Sequence, residues 1–246
     1  MKQAVLALSA AASLVLVVAC DGQPAGPKLG ELDPQAGKPV AIDRIESEQF
    51  RSWALSERAA FLMGRVIAAD MLFRAGEREA ATAQLEGLPN RFSAADGGAL
   101  RALGFEPERI DMLSAGLELG RAEDEIARLF AEAEANLSAA LAASGTAPED
   151  TVTFLMRQSA EAYDLGVRYG EVEDDKAYQA AFGFAVAARD LISPLDQAVY
   201  GDLRLELDIL VLMWPSSGPL PGRIPPPEMR MSEQFARVKL ALTRLP

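Results

Sequence analysis

Leu203-Arg204-Leu205-Glu206-Leu207-Asp208-Ile209 is the stretch on which the fold class turns. Its apolar and charged residues alternate strictly, as they would in a half-buried strand. The same region also places Val199, Leu203, Leu207, Leu210 and Trp214 at helical spacing, and leucine with arginine and glutamate favours helix. Length decides. About twenty residues separate Pro194 from Pro215, too many for a typical strand. With this segment read as a helix, no strong strand candidate remains, and the chain is expected to be all-α.

Upstream, helical stripes are closed one after another by glycine or proline. Ser56 is expected to cap a helix through Phe61, Leu62, Val66, Ile67, Leu72 and Phe73, ending at Gly76. A short partner covers Glu77 to Glu86, and Gly98 to Leu103 reads as one further helical turn. Pro107 opens the next helix, closed by Gly120. Ala122 to Ala143 carries the stripe Ile126, Leu129, Phe130, Ala133, Leu137 and Leu141, with Glu123, Asp124 and Glu125 where the helix dipole favours acids. Pro148 starts a helix expected to run through Val152, Leu155, Ala162 and Leu165 to Gly170, and another follows with Tyr178, Phe182, Phe184 and Val186. Arg74-Ala75-Gly76-Glu77, with Ala80, Ala81 and Leu85, resembles a single tetratricopeptide-type hairpin; no second copy follows at that family's period.

The resulting organisation is an irregular multi-helix bundle of about seven or eight helices after a flexible N-terminal tether. Residues 44–214 form the helical domain, residues 215–227 a stiff proline-rich arm, and residues 228–246 a last helix expected to pack back on the domain. That helix presents Met231, Phe235, Val238, Leu242 and Leu245 as its apolar stripe. Residues 215–246 carry five basic and two acidic groups, whereas residues 21–214 carry 18 and 34. The acidic body therefore attracts the basic C-terminal segment. The whole chain of 246 residues has a net charge of −12, which argues against nucleic acid as a partner.

Residues 1–20 read as a secretory leader: Lys2 is the positive end, and Ala4 to Val18 is apolar but short for a membrane span. Val17-Val18-Ala19-Cys20 resembles the bacterial lipobox, and Cys20 is the single cysteine of the chain. The resemblance implies lipidation of Cys20 and attachment to the periplasmic side of a bacterial membrane. Asp21 resembles the inner-membrane retention signal of enteric bacteria. Residues 21–43, rich in Pro and Gly, are expected to act as a coil spanning roughly 25 Å.

The chain has no histidine, which removes the commonest general base and the usual zinc, copper and haem ligands. No Ser-x-x-Lys occurs, and no glycine-rich phosphate loop follows a strand. No catalytic, metal or cofactor site is therefore assigned, and enzyme activity is not expected. Glu171, Glu173, Asp174 and Asp175 read chiefly as the acidic start of a helix, with cation binding as the lesser reading. Asp202 and Glu206 read as a solvated face. Arg65 and Asp70 interrupt an otherwise apolar helix, and Tyr178 and Phe182 lie in an aromatic group with Tyr163, Tyr169 and Phe184. These four, Arg65, Asp70, Tyr178 and Phe182, are the candidates for a ligand pocket.

Gly64-Arg65-Val66, Arg74-Ala75-Gly76, Tyr178-Gln179-Ala180-Ala181-Phe182-Gly183-Phe184 and Trp214-Pro215 together resemble an uncharacterised group of exported all-helical proteins of Gram-negative bacteria. The resemblance implies histidine after the first glycine and His-Pro near the end of the second helix. This chain has Arg65 and Leu88-Pro89 there, so a metal site held by such histidines would be lost. The expected function is a membrane-tethered binding or scaffold protein with an envelope protein or envelope component as partner. The alternative is a carboxylate-based carrier of metal or another ligand, or an enzyme, working in an interhelical pocket.

Overall fold

The computed structural model describes residues 50–88 and 94–246. The leader, Cys20, the tether and Pro89 lie outside them. The fold is all-α. Nine helices lie wholly within the described residues: α1 (Leu55–Arg74), α2 (Arg78–Leu85), α3 (Ala94–Ala102), α4 (Glu108–Glu118), α5 (Glu123–Ala143), α6 (Pro148–Gly166), α7 (Asp175–Ile192), α8 (Gln197–Leu212) and α9 (Glu228–Leu242). None is long and apolar enough to cross a membrane.

Helices α1 and α7 form the centre, and their contact is unusually close. A Cβ on Gly183 would stand 2.2 Å from the Gly64 carbonyl oxygen, and one on Gly64 2.2 Å from the Phe184 ring. Helix α6 lies along α7 on another side, where a Cβ on Gly166 would fall 2.5 Å from the Tyr178 nitrogen. Helices α2, α5 and α6 complete the surroundings of α1, and α8 packs on α7. The core is aliphatic and aromatic, with Phe61, Leu62, Val66, Phe130, Leu137, Phe184 and Ile192 almost fully buried.

The decisive stretch is helical. Leu203, Leu207 and Leu210 face inward with Trp214, while Leu205 and Ile209 are exposed. The alternation thus arises from apolar residues on two sides of one helix. Val199, read as part of the buried stripe, is 39 % exposed.

Three local expectations change. Helix α1 begins one residue before Ser56, and its first turn is held by Glu57, whose carboxylate accepts the Ala54 N–H at 2.9 Å. Ser56 lies within the helix. Helix α6 ends at Gly166, not Gly170, because Val167–Arg168 and Glu171–Val172 form a two-residue antiparallel hairpin. The turn residues Tyr169 and Gly170 both have positive φ, the conformation that suits the twist of a tight hairpin. Leu165, expected on the buried stripe, is 45 % exposed.

The acidic run divides its work. Glu173 lies 3.7 Å from Arg168, and Asp174 caps α7 by accepting the Ala177 N–H at 2.9 Å. At the other end of the chain, α9 packs on α8 and α6. Met231 and Val238 are buried, and Phe235, Leu242 and Leu245 are half-buried. Gln234 donates from Nε2 to both the Glu206 carbonyl and its carboxylate, each at 2.8 Å. Glu206 is therefore held by α9, and with Asp202 it borders a small cleft shared with Arg237 and Arg244.

Candidate functional site

Arg65 and Asp70 serve different environments. Arg65 is 1 % exposed and donates from Nε and Nη2 to the Gln84 carbonyl at 3.0 and 2.7 Å. The Gln84 side chain crosses to α7, donating to the Lys176 carbonyl at 3.0 Å and to Gln179 Oε1 at 3.1 Å. Arg65 thus joins α1 to α2, and Gln84 joins α2 to α7, through buried polar contacts. A guanidinium placed in this way is a structural strut. Arg65→Ala should lower stability by about 3 kcal/mol, since it opens a cavity and removes the donors to a buried carbonyl. Chemical denaturation of the variant checks this; a wild-type midpoint would disprove the role.

Asp70 pairs with Arg74 one turn on, Oδ2 to Nε 2.7 Å. Its Oδ1 is buried and finds no hydrogen-bond partner among the described residues. Burial raises the Asp70 pKa, and Arg74 works against that rise. Glu134 on α5 is pushed up to about 7, first by burial and then by the Asp70 charge. The native state therefore holds a proton on Glu134 that the unfolded chain releases near its ordinary value. Stability from this group is complete at pH 4 and declines as pH rises toward 7. Glu134→Gln should match the wild type at pH 4.5 and exceed it at pH 8. The gain should be about 1 kcal/mol, because water at the half-exposed group screens the effect. Urea melts at the two pH values test the sign.

Phe182 packs on Trp214, and Tyr178 joins the same aromatic cluster through Tyr163. The Phe182 ring lies 5.6 Å from Trp214, and Tyr163 stands about 6 Å from both Trp214 and Tyr178. Tyr163 donates to the Pro226 carbonyl and so pins the proline arm. The Tyr178 hydroxyl and Trp214 Nε1 are buried without a hydrogen-bond partner among the described residues. Burial raises the pKa of both Tyr163 and Tyr178, so both rings remain neutral hydroxyls. Phe184 leaves this group and packs on Phe61, and Tyr169 is 95 % exposed. The four pocket candidates thus belong to three settings: the Arg65 strut, the Asp70 pair and the aromatic cluster.

A larger opening lies elsewhere. Helices α6 and α9 run side by side and leave a groove of about 610 Å³. Met156, Ala160, Phe235, Ala236 and Leu242 supply its apolar lining, and Glu149, Asp150, Arg157 and Lys239 its charges. Glu149 also accepts from the Tyr200 hydroxyl at 3.4 Å. Arg157 lies over the Phe154 ring and 3.5 Å from Glu57. The volume and the mixture of apolar lining with a few charged groups match what binding sites require. Sequence reasoning missed this groove. The signal was present in Thr153, Met156, Arg157 and Ala160, one face of α6 on which alanine leaves room. Among the described residues, no three His, Cys, Asp or Glu side chains come together to hold a metal.

Fold and groove together define an all-α bundle with an open groove between α6 and the C-terminal helix. No family model matches the chain, and no curated protein or solved structure matches it either.

Proposed function

We propose that the chain is a membrane-tethered, extracytoplasmic helical binding or scaffold protein of the cell envelope, held by lipid on Cys20. The α6–α9 groove is the face that receives its partner, an apolar-faced segment of an envelope protein. The open groove with charges around an apolar lining carries this reading, since such grooves take amphipathic helices through a few apolar anchors. A carboxylate-based carrier or enzyme has less support. It calls for three or more buried carboxylates together; Asp70 and Glu134 lie near one another, but the third acid that acts on Glu134, Asp190, is exposed and paired with Arg189 at 2.7 Å.

Two measurements test the two halves. Fatty-acid labelling of the wild type and of Cys20→Ala should mark only the wild type; equal labelling, or none, defeats the tether. Ala236 lines the groove and is exposed, so Ala236→Trp fills it without touching the core. This variant should lose, by tenfold or more, the partners that the wild type captures from envelope extracts. An unchanged set of captured proteins would remove the groove from the function.

A further inference from the structure

Six of the eleven large apolar side chains left exposed among the described residues belong to α8 or α9, so the exposure is concentrated on one pair of helices. Leu205, Ile209 and Leu212 recur at i, i+4 and i+7 and form an outward stripe of α8. Leu205 and, from α9, Leu240 line one small cleft between the two helices. They are 57 % and 50 % exposed, so no other part of the described chain covers this face.

The two helices differ in sign. Helix α8 carries Asp202, Glu206 and Asp208 against Arg204. Arg204 is turned onto its own chain, where it donates to the Ile192 and Leu195 carbonyls. On α9 and its end, Arg230, Arg237 and Arg244 stand seven residues apart and share one flank, with Glu233 among them. Asp202, Arg237 and Arg244 border the cleft of Leu205 and Leu240. None of the three makes an ion pair or a side-chain hydrogen bond among the described residues.

This pattern discriminates among occupants. An anionic bilayer meets the acids of α8, and a peptide of single sign is repelled by one helix or the other. A second copy matches both. A two-fold axis along the boundary between the helices lays α8 of one copy on α9 of the other. Asp202 then faces Arg237 of the partner subunit, and Leu205 meets Leu240 of the partner subunit. An axis across the helices instead stacks acid on acid and base on base.

We infer that α8 and α9 form a two-fold interface between two copies of this chain. The 16 residues of α8 give the face a length of about 24 Å, and two adjacent helices a width of roughly 20 Å. Pairing buries on the order of 1,000 Å² in all, the low end for a specific complex. The α6–α9 groove lies on the other flank of α9 and stays open in both copies. A dimer therefore presents two grooves, which favours partners with two matching segments.

The test mixes two full-length chains with different epitope tags in one bacterial envelope, one carrying Leu205→Cys and the other Leu240→Cys, and oxidises them. The mixed disulfide should exceed the self-linked product of either variant at least fivefold. Leu119→Cys, in the exposed α4–α5 turn, replaces Leu205→Cys as the control, and the unsubstituted chain reports any cross-link through Cys20. Adding Arg237→Glu to the Leu240→Cys chain should cut the mixed product about tenfold. Adding Asp202→Arg to the Leu205→Cys chain should then restore it. A mixed product no greater than the Leu119→Cys control overturns the interface. A product that ignores the first charge reversal, or is not restored by the second, overturns it as well. Excess self-linked Leu205→Cys would mean α8 stacked on α8, and an adduct with a different protein would assign the face to that protein. Either result also defeats the inference.

Discussion

Gly183→Val is expected to cost about 4 kcal/mol or more, a large fraction of the 5–15 kcal/mol that holds most domains together. At this crossing a Cβ falls 2.2 Å from the Gly64 carbonyl oxygen and 2.7 Å from the Ala68 Cβ. Both belong to α1, which is packed on several other helices and cannot withdraw alone. The two helices must separate, and Phe61, Val66 and Phe184 lose their packing together. Gly183→Ala meets the same oxygen but recovers about 1 kcal/mol of helix propensity, so its net loss should be smaller. Gly201→Ala supplies the contrast within α8. Its Cβ meets only the flexible Gln197 side chain, nearest atom 3.0 Å away, and the change should be neutral or stabilising. Urea denaturation of the three variants checks the order; a wild-type midpoint for Gly183→Val would refute the close crossing of α1 and α7.

Removing residues 229–246 should lower the melting temperature of the helical domain by roughly 10 °C, corresponding to several kcal/mol. Met231, Val238 and Ala241 leave buried positions, and Phe235 and Leu242 leave half-buried ones. At roughly 1.5–3 kcal/mol for each large apolar side chain, less for those half-buried, the loss exceeds the ordering cost recovered. The paired hydrogen bonds from Gln234 to Glu206 go as well. An unchanged melt, together with lost binding to anionic vesicles, would mean that α9 lies in a membrane surface instead of packing on α6 and α8. Because α9 forms one wall of the groove, the truncated domain should also lose the partner captured by the wild type.

The helices were legible because their signals are local. Gly76, Gly104, Gly120 and Gly145 all take positive φ where a helix was expected to stop, and a residue without Cβ is the cheapest way to reverse the chain there. The stripe Ile126, Leu129, Phe130, Ala133 and Leu137 is buried as its spacing requires. Helix α8 was decided by length against a misleading alternation. The hairpin at Val167–Arg168 and Glu171–Val172 escaped notice because two residues per strand are too few to show a period.

The site was less legible. Gly64 and Gly183 stood in the sequence as parts of two separate motifs, and only the crossing of α1 and α7 makes them one contact. Arg65 read as a ligand candidate because a charge on an apolar face invites a partner; its partner is a backbone carbonyl on α2, which no residue type announces. The groove depends on how far apart two helices stand, and the hairpin's place on the contact of the Tyr169 N–H with Glu228, fifty-nine residues away. Periodicity and chain breaks follow from neighbours within a few residues, so the chain alone specifies them. Separation between helices and convergence of distant loops are set by the summed packing of the whole core, and only the tertiary structure decided them.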